Sequence, residues 1–337
     1  MPASRPAETS WLDLAKLIGP VTWHWERWLA PGFVHLLASK SGLGKSTLAM
    51  RVSACYLRGD SWPDGTLFDG NGLATCEQGA VLWLETENAQ ALNLSRALSW
   101  GLPLDRLANP FTDPLAELCL ADRRHRKAVE DASKRPDVRL VVLDSLSGAW
   151  AGRDENDAKV LELMKWLAGL ARDTNKPFLV THHLRKRGLQ DVDGEIDLDM
   201  LRGSSAVVQV ARLVWALDRP NKADTTLRLQ VLKSNLGRFP TSVGMVIDGD
   251  GRVVFAEEAP GKPTTESQAM LAERWLLEVL DIGPVAVKQV LERAASEGIA
   301  ERTLKRAKAE LGVDSVKGPG GWYWILPIGD DDTLPGV

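Results

Sequence analysis

The sequence predicts an α/β protein, with a mainly parallel sheet in a large first domain and a small helix-rich domain behind it. In the first domain, apolar strand segments alternate with helical segments from residue 31 to residue 256, as in a doubly wound sheet. The strand segments are apolar throughout, which is typical of parallel strands covered on both faces. A stretch rich in Pro, Gly, Thr and charge at 257–265 ends the alternation and marks a linker.

The predicted elements begin with strand Phe33–Ala38, a glycine-rich loop and a helix from Thr47 to Leu57. Further strands are predicted at Gly79–Glu85, Arg139–Asp144, Pro177–Thr181, Arg212–Leu217 and Thr226–Leu232. Helices are predicted at Leu92–Trp100 and Val160–Thr174. Residues that end parallel strands meet at one edge of the sheet, which is where open α/β sheets bind ligands. The polar residues at these strand ends are therefore candidates for a binding site.

Residues 1–30 precede the large domain and are rich in tryptophan. Apolar residues between 12 and 18 fit a short helix that ends at Gly19-Pro20. We expect the tryptophans to form a strap that packs on the core, because aromatic side chains mostly serve packing. An arm that docks on a neighbouring subunit is the alternative. The tryptophans of this segment are Trp11, Trp23, Trp25 and Trp28.

The composition is that of an ordinary folded protein, with 44% hydrophobic and 26% charged residues. No run approaches the roughly 18 apolar residues that span a bilayer, and the first five residues lack an apolar signal core. The three cysteines have no metal-type spacing, so we expect reduced thiols and a cytoplasmic location. A net charge of −4 excludes a bulk polycation, so any nucleic acid must be bound by local basic patches.

The glycine-rich loop has the composition of a nucleoside-triphosphate site. It matches the pattern G-x-x-x-x-G-K-[ST], except that Ser39 stands at the first glycine. A strand precedes the loop and a helix follows it, which is the context that a P-loop requires. Backbone N–H groups and the helix dipole then favour phosphate oxygens. The predicted ATP-binding residues of the loop are Ser41, Gly42, Leu43, Gly44, Lys45, Ser46 and Thr47.

Residues around this loop suggest the chemistry of hydrolysis. We expect Lys45 to reach the β- and γ-phosphates, and Ser46 and Asp144 to hold Mg²⁺. Glu85 and Glu87 follow the second strand, and one of them is a candidate general base for the attacking water. The spacing alone does not choose between the two, and a solvated acidic loop is the other interpretation.

Two further groups of residues follow the fourth predicted strand. His182-His183 lie at its end, so one of them is a candidate sensor of the γ-phosphate, or both are ordinary loop histidines. A long polar segment comes next, and its cations suit contact with a phosphate backbone. Acidic residues between 191 and 199 favour instead a solvated charge run. The cations concerned are Arg185, Lys186, Arg187 and Arg202.

After the linker, residues 266–328 have the outline of a winged helix-turn-helix domain. Helices are predicted at Ser267–Leu280, Val285–Glu297 and Glu301–Leu311, and a hairpin at Val316–Ile325. Trp322 and Trp324 alternate on the hairpin, so we expect both to face the helices. Cations on the third helix and the hairpin suit duplex DNA, whereas a protein contact is the alternative. They are Arg302, Lys305, Arg306, Lys308 and Lys317. Residues 329–337 are predicted to be a disordered acidic tail.

In order and spacing, the motifs from residue 20 to residue 255 resemble the RecA-fold hexameric helicases of the DnaB superfamily. The likeness is to the RepA-like plasmid type and to related phage ATPases. It lies in the P-loop, in Val81–Asn88, in Leu140–Leu146, in Val180–His183 with Leu201–Ser205, and in Val231–Gly237. The resemblance implies a RecA-like ATPase core that binds ATP and Mg²⁺, assembles as a hexameric ring and grips single-stranded DNA in its channel through loops near 148–158 and 184–203.

The resemblance also implies roles for single residues. Glu87 matches the catalytic glutamate, and His183 matches the polar phosphate sensor. Arg212 and Lys233 match cations that a subunit supplies to its neighbour's nucleotide. Many members of the family have arginine where Asn235 stands here.

Two functions of different classes follow from these observations. The first is an ATP-driven helicase or translocase that acts on single-stranded DNA in replication of a mobile element or phage. The second is a nucleotide-switched DNA-binding regulator or helicase loader that uses the small domain. A recombinase-like filament is a third, weaker alternative.

Overall fold

The structure is a computed structural model. It describes residues 10–68, 76–113, 115–150, 158–184, 196, 198, 200, 201, 205–220, 225–256, 259–260, 268–281 and 283–327. The chain divides into two compact units, Met1–Gly261 and Lys262–Val337. Most of the predicted linker and the predicted acidic tail lie outside the described residues. Within the described residues, no helix is long and apolar enough to cross a membrane.

The first unit is built on a nine-stranded sheet. Its strands are β1 Val34–Ser39, β2 Ala80–Glu85, β3 Leu107–Ala108, β4 Val138–Asp144, β5 Phe178–His183, β6 Leu213–Asp218, β7 Leu227–Ser234, β8 Val243–Ile247 and β9 Val253–Ala256. They are ordered β3-β2-β4-β5-β1-β6-β7-β8-β9. All pairings from β3 to β6 are parallel, and those from β6 to β9 are antiparallel. The predicted α/β fold class with a mainly parallel sheet is confirmed.

Helices cover both faces of this sheet. In the described residues the helices of the first unit are α1 Trp11–Ile18, which lies outside the core, and α2 Lys45–Arg58, α3 Gln90–Ser99, α4 Arg123–Ser133, α5 Ala158–Thr174 and α6 Ser205–Val210. Alternate residues of β4 enter different cores: Leu140 and Val142 join the core that contains α2, whereas Val141 and Leu143 join the core that contains α5. A strand buried on both faces must be apolar throughout, which explains why the central strands were recognisable in the sequence.

Some elements differ from the prediction. Strand β5 continues to His183, two residues beyond its predicted end, because the pairing of β1 with β5 extends from Val34 with Phe178 to Ser39 with His183. Helix α4 was not predicted, since it buries only Val129 and Ser133 and the rest of it is largely charged. The antiparallel hairpin of β8 and β9 was not predicted either.

The tryptophan-rich segment packs on the core at only one end. Trp25 and Trp28 are buried and stack on each other, with ring centroids 4.8 Å apart, and Trp62 continues the stack at 5.7 Å from Trp25. Trp11 is 85% exposed, so the expectation that it packs on the core is wrong. Trp11 lies on the short helix α1, at the start of the described chain. By contrast, the rings of Trp25 and Trp28 pack edge-on against the ring of Trp215 on β6.

In its described residues, the second unit has three helices and a three-stranded sheet. Its elements are α7 Gln268–Leu280, β10 Val285–Ala286, α8 Val287–Ser296, α9 Glu301–Glu310, β11 Asp314–Gly318 and β12 Gly321–Ile325, with strand order β10-β12-β11. Val285 and Ala286 form a short strand rather than the first turn of a helix. Trp324 is buried, but Trp322 is 56% exposed, so the expectation for Trp322 is wrong. It is adjacent to the hairpin turn, where it pairs with the exposed Lys317 instead of packing on the helices.

Candidate nucleotide-binding site

The P-loop joins the end of β1 to the start of α2. Gly42 and Gly44 have φ angles of 80° and 94°, which side chains other than glycine rarely adopt. Gly44 is the N-cap of α2, and no side chain caps this helix. The first N–H groups of α2 therefore lack a side-chain acceptor, which is the arrangement that binds phosphate at a helix N-terminus.

Lys45 extends from the first turn of α2 into a polar contact network. Its ammonium donates to Ser39 Oγ at 3.2 Å and lies 3.1 Å from His183 Nδ1. Burial lowers the pKa of Lys45, although the carboxylates of Asp144 and Glu87 act in the opposite direction. Ser39, which replaces the first glycine of the motif, therefore contributes a contact to Lys45.

Ser46 and Asp144 come together as predicted, at the ends of neighbouring elements. Asp144 is buried at the end of β4. Its carboxylate accepts hydrogen bonds from Thr181 Oγ1 at 2.6 Å and from the Ser46 hydroxyl. Burial raises the pKa of Asp144, and these two hydrogen bonds oppose the increase. A hydroxyl and a carboxylate fit Mg²⁺, which completes its oxygen shell with substrate phosphates and water.

Glu85 is held in a network of donors at the end of β2. One oxygen accepts from the backbone N–H of Glu87 at 2.9 Å, and the other accepts from Asn93 Nδ2 at 2.6 Å. The indole N–H of Trp83 lies 3.4 Å from that second oxygen. Hydrogen bonds to both oxygens hold this carboxylate in one orientation, so Glu85 stabilises the local structure.

Glu87 has a different environment, since its side chain is partly exposed beside the P-loop. Its carboxylate accepts a short hydrogen bond from Ser145 Oγ, and the same oxygen lies 2.9 Å from His183 Nε2. Burial raises the pKa of Glu87, but the hydrogen bonds from Ser145 and His183 outweigh this and the pKa is lowered overall. His183 thus links Glu87 to Lys45 through its two ring nitrogens.

Arg212 and Lys233 lie away from the P-loop of their own chain. The backbone N–H of Arg212 donates to the carbonyl of Val34 at 3.1 Å, at the beginning of β1, whereas the P-loop follows its end. Six residues of strand separate the two positions, about 20 Å at ~3.3 Å per residue. The Lys233 ammonium donates to the carbonyls of Val208 and Ala211, at 2.6 and 2.9 Å.

The predicted DNA contacts are only partly described. Arg185, Lys186, Arg187 and Arg202 lie outside the described residues. On α9, Arg302 and Arg306 are exposed, whereas Lys305 pairs with Glu301 at 2.7 Å. The Lys308 ammonium lies over the Trp324 ring at 5.5 Å, so it contacts the hairpin. Of the predicted cations on α9, Arg302 and Arg306 are those without a partner among the contacts of the described residues.

Three hydroxyl residues make contacts in this site that were not predicted from the sequence, namely Ser39, Ser145 and Thr181. Each makes one of the contacts that position Lys45, Glu87 or Asp144. Their only signal in the sequence is a location at or next to the end of a strand, and serine and threonine are too common there to be distinctive.

Comparisons with solved structures give likenesses of low identity. The crystal structure of the RadB recombinase has 17% identity, covers 69% of this chain and 93% of its own, and has a TM-score of 0.43. The KaiC-like protein PH0186 of Pyrococcus horikoshii OT3 has 14% identity, coverage of 70% and 96%, and a TM-score of 0.47. A third solved structure, which is an ATPase domain, has 15% identity, coverage of 73% and 96%, and a TM-score of 0.47. TM-scores below 0.5 leave the function to be judged from the residues of this chain.

No curated protein matches the chain. A family model described as "AAA domain" matches residues 2–188, which is more than half of the 337 residues. The matched range contains the P-loop, Glu87, Asp144 and His183, and the match supports nucleotide binding and hydrolysis. The chain therefore belongs to the AAA domain family.

Proposed function

We propose that the protein is an ATP-hydrolysing motor that moves along single-stranded DNA, as a helicase or translocase in replication of a mobile element or phage. The observation that carries the proposal is the contact chain from Lys45 through His183 to Glu87. It joins a phosphate-binding cation, a polar sensor and a carboxylate in one network. Such a network links hydrolysis at the P-loop to β5, and the polar segment after β5 is the proposed DNA-gripping loop.

Each residue of the network has a role in the proposed hydrolysis. The N–H groups of the P-loop and Lys45 bind and orient the phosphates, while Ser46 and Asp144 would hold Mg²⁺, which would neutralise charge on the phosphate oxygens. Glu87 orients the attacking water and accepts its proton. His183 lies between Glu87 and Lys45, so loss of the γ-phosphate changes its hydrogen bonds and, through them, the end of β5.

We also propose that Arg212 acts on the nucleotide of a neighbouring subunit in a ring. The distance of Arg212 from its own P-loop supports this, because Arg212 lies at the start of β6, beside the start of β1, and about 20 Å is too far for its side chain to reach phosphates at the end of β1. Lys233 lies close enough for the Arg212 charge to lower its pKa further, after the larger effect of burial. The two cations together form a positive edge that complements a triphosphate.

Mixing two inactive variants tests action between subunits. Arg212→Ala alone is expected to reduce ATP hydrolysis by about a thousandfold or more, the contribution of an arginine supplied to phosphoryl transfer. When Arg212→Ala and Lys45→Ala chains are mixed, activity should return at the sites that combine an intact Lys45 with a neighbour's intact Arg212. With random assembly these are about a quarter of all sites. ATP turnover at varied mixing ratios measures this.

The matched control mixes Lys45→Ala with Glu87→Gln, whose lesions fall in the same site and should not complement each other. No recovery in the Arg212→Ala mixture, or equal recovery in the control mixture, would contradict action between subunits.

A DNA-binding regulator or helicase loader is the second candidate, and the exposed Arg302 and Arg306 on α9 favour it. If the second unit is a winged helix, as we propose, these side chains are available to phosphates or to base edges in the major groove. A regulator would bind duplex DNA tightly and hydrolyse ATP without regard to DNA.

Purified protein separates the two functions in one set of assays. For the motor, we expect single-stranded DNA to stimulate ATP hydrolysis and a forked duplex to be unwound in the presence of ATP and Mg²⁺. Lys45→Ala serves as the inactive control for both assays. Hydrolysis that is indifferent to single-stranded DNA, together with tight duplex binding that Arg302→Ala and Arg306→Ala remove, would reject the motor in favour of the regulator.

A further inference from the structure

A small cavity lies along α2, outside the P-loop. Its volume is about 150 Å³, and its lining includes Arg51, Arg58, Arg252 and Trp100. No residue of the P-loop contributes to this lining. Three guanidinium groups around one small cavity form a concentrated positive charge that the proposed hydrolysis does not use.

The charge of this cavity is only partly neutralised. Asp60 is the one carboxylate in the lining, and it pairs with Arg58, whose Nε donates at 3.2 Å. Within the described residues, neither Arg51 nor Arg252 forms an ion pair. Arg51 donates to the carbonyl of Ser61 at 2.5 Å, and Arg252 donates to the carbonyl of Ser99 at 2.9 Å. Each of these two guanidinium groups has further N–H donors that make no contact with a carboxylate in the described part of the chain.

Trp100 provides an independent observation. Its side chain is 7% exposed and lines the same cavity, yet its indole N–H is buried without an acceptor in the described structure. Buried donors in folded proteins are almost always hydrogen-bonded. Arg58 and Arg252 cap the end of α3 through the carbonyls of Trp100 and Ser99. Arg51 also donates to Cys55 Sγ at 3.2 Å and lies over the Phe255 ring at 5.3 Å. Within the described residues, these contacts leave the Trp100 N–H without an acceptor and the charge of Arg51 without a carboxylate.

We infer that this cavity is a binding site for a phosphate group, separate from the ATP site. Guanidinium groups bind phosphate oxygens through paired N–H donors, and a shift of the Trp100 ring on binding would bring its buried N–H to a phosphate oxygen. A cavity of about 150 Å³ is smaller than usual ligand pockets of roughly 300 Å³ or more, so it fits a phosphate or diphosphate group rather than a whole nucleotide. The group belongs either to a free phosphate compound or to the backbone of DNA.

Calorimetric titration with inorganic pyrophosphate tests the inference. The full-length Lys45→Ala protein is used, so that the P-loop contributes little to binding. We expect one pyrophosphate to bind, and we expect Arg51→Gln or Arg252→Gln to weaken the Kd by roughly tenfold or more, as for the loss of a charge-assisted hydrogen bond. Trp100→Phe keeps the ring and removes only the N–H, so it should weaken the Kd by about threefold or more. Arg124→Gln, at a side chain 90% exposed on α4, is the matched control and should bind normally.

Two further measurements complete the test. Melting temperatures measured without pyrophosphate show whether each variant is folded. If Arg51→Gln is not folded, Arg252→Gln is used in its place. Competition by a short single-stranded oligonucleotide distinguishes the sources: displacement of pyrophosphate indicates the DNA backbone, and no displacement indicates a free phosphate compound. Either result supports a phosphate site. Absence of binding, or binding unchanged in a folded Arg51→Gln, Arg252→Gln double variant, would overturn it. Neither outcome bears on DNA-stimulated hydrolysis, which is assayed with Lys45 intact.

Discussion

Lys45→Ala is expected to abolish ATP turnover, with a loss of about a thousandfold or more. Lys45 is the only cation among the predicted residues of the P-loop, and its ammonium lies at the centre of the contacts with Ser39 and His183. Its removal takes away the positive charge that stabilises the β- and γ-phosphates as negative charge develops during transfer. Single preorganised donors already contribute about a hundred- to a thousandfold to such reactions. ATP binding and steady-state hydrolysis measure the loss.

The same substitution should leave the fold intact. Lys45 is 5% exposed, and burial lowers its pKa, which means that the folded protein disfavours the charged form. When folding lowers the pKa of a base, the charged form is less stable in the folded than in the unfolded protein, so its charge opposes folding at every pH below the lowered pKa. Removing it should keep or raise the melting temperature. Lys127→Ala, on the surface of α4, is the control and should hydrolyse ATP normally. Normal turnover by a folded Lys45→Ala protein would show that the P-loop is not the site.

The parallel half of the sheet was predictable because burial on both faces constrains its residues strongly. Strands β1, β2 and β4 are buried along almost their whole length, so the apolar segments mark them directly. The antiparallel half is less constrained. Strand β9 has one buried residue in four, and α4 buries only two of its residues. Such elements are fixed by pairing and packing with distant parts of the chain, which no local pattern records.

The residues of the candidate site were likewise predictable only in part. Lys45, Ser46 and Asp144 come together because the P-loop motif and the strand end define where each residue must lie. Spacing alone left Glu85 and Glu87 as alternatives, because the difference between their environments depends on Asn93. This buried amide on α3, eight positions along the chain, occupies Glu85 and leaves Glu87 to face the P-loop.

Glu87→Gln is expected to retain ATP binding and to lose hydrolysis by about a hundred- to ten-thousandfold, the range for a general base. The amide keeps the size of the side chain, and its oxygen still accepts from Ser145 and His183, so the nucleotide site should stay assembled. The amide cannot accept a proton from the attacking water. In the native protein the lowered pKa of Glu87 keeps it ionised from neutral pH to below its ordinary value near 4.5. Calorimetric ATP binding and single-turnover hydrolysis separate the two effects.

Glu85→Gln is the matched comparison and should behave in the opposite way. One of its two groups becomes an amide N–H₂ that meets either the N–H of Glu87 or the amide of Asn93, so a buried donor loses its acceptor. Such a loss costs about 1–3 kcal/mol. We therefore expect a lower melting temperature with a modest loss of hydrolysis for Glu85→Gln, and an unchanged melting temperature with hydrolysis nearly absent for Glu87→Gln. If Glu85→Gln instead stops hydrolysis without destabilising the protein, and Glu87→Gln remains active, then Glu85 is the base and the contacts that occupy it must open when ATP binds.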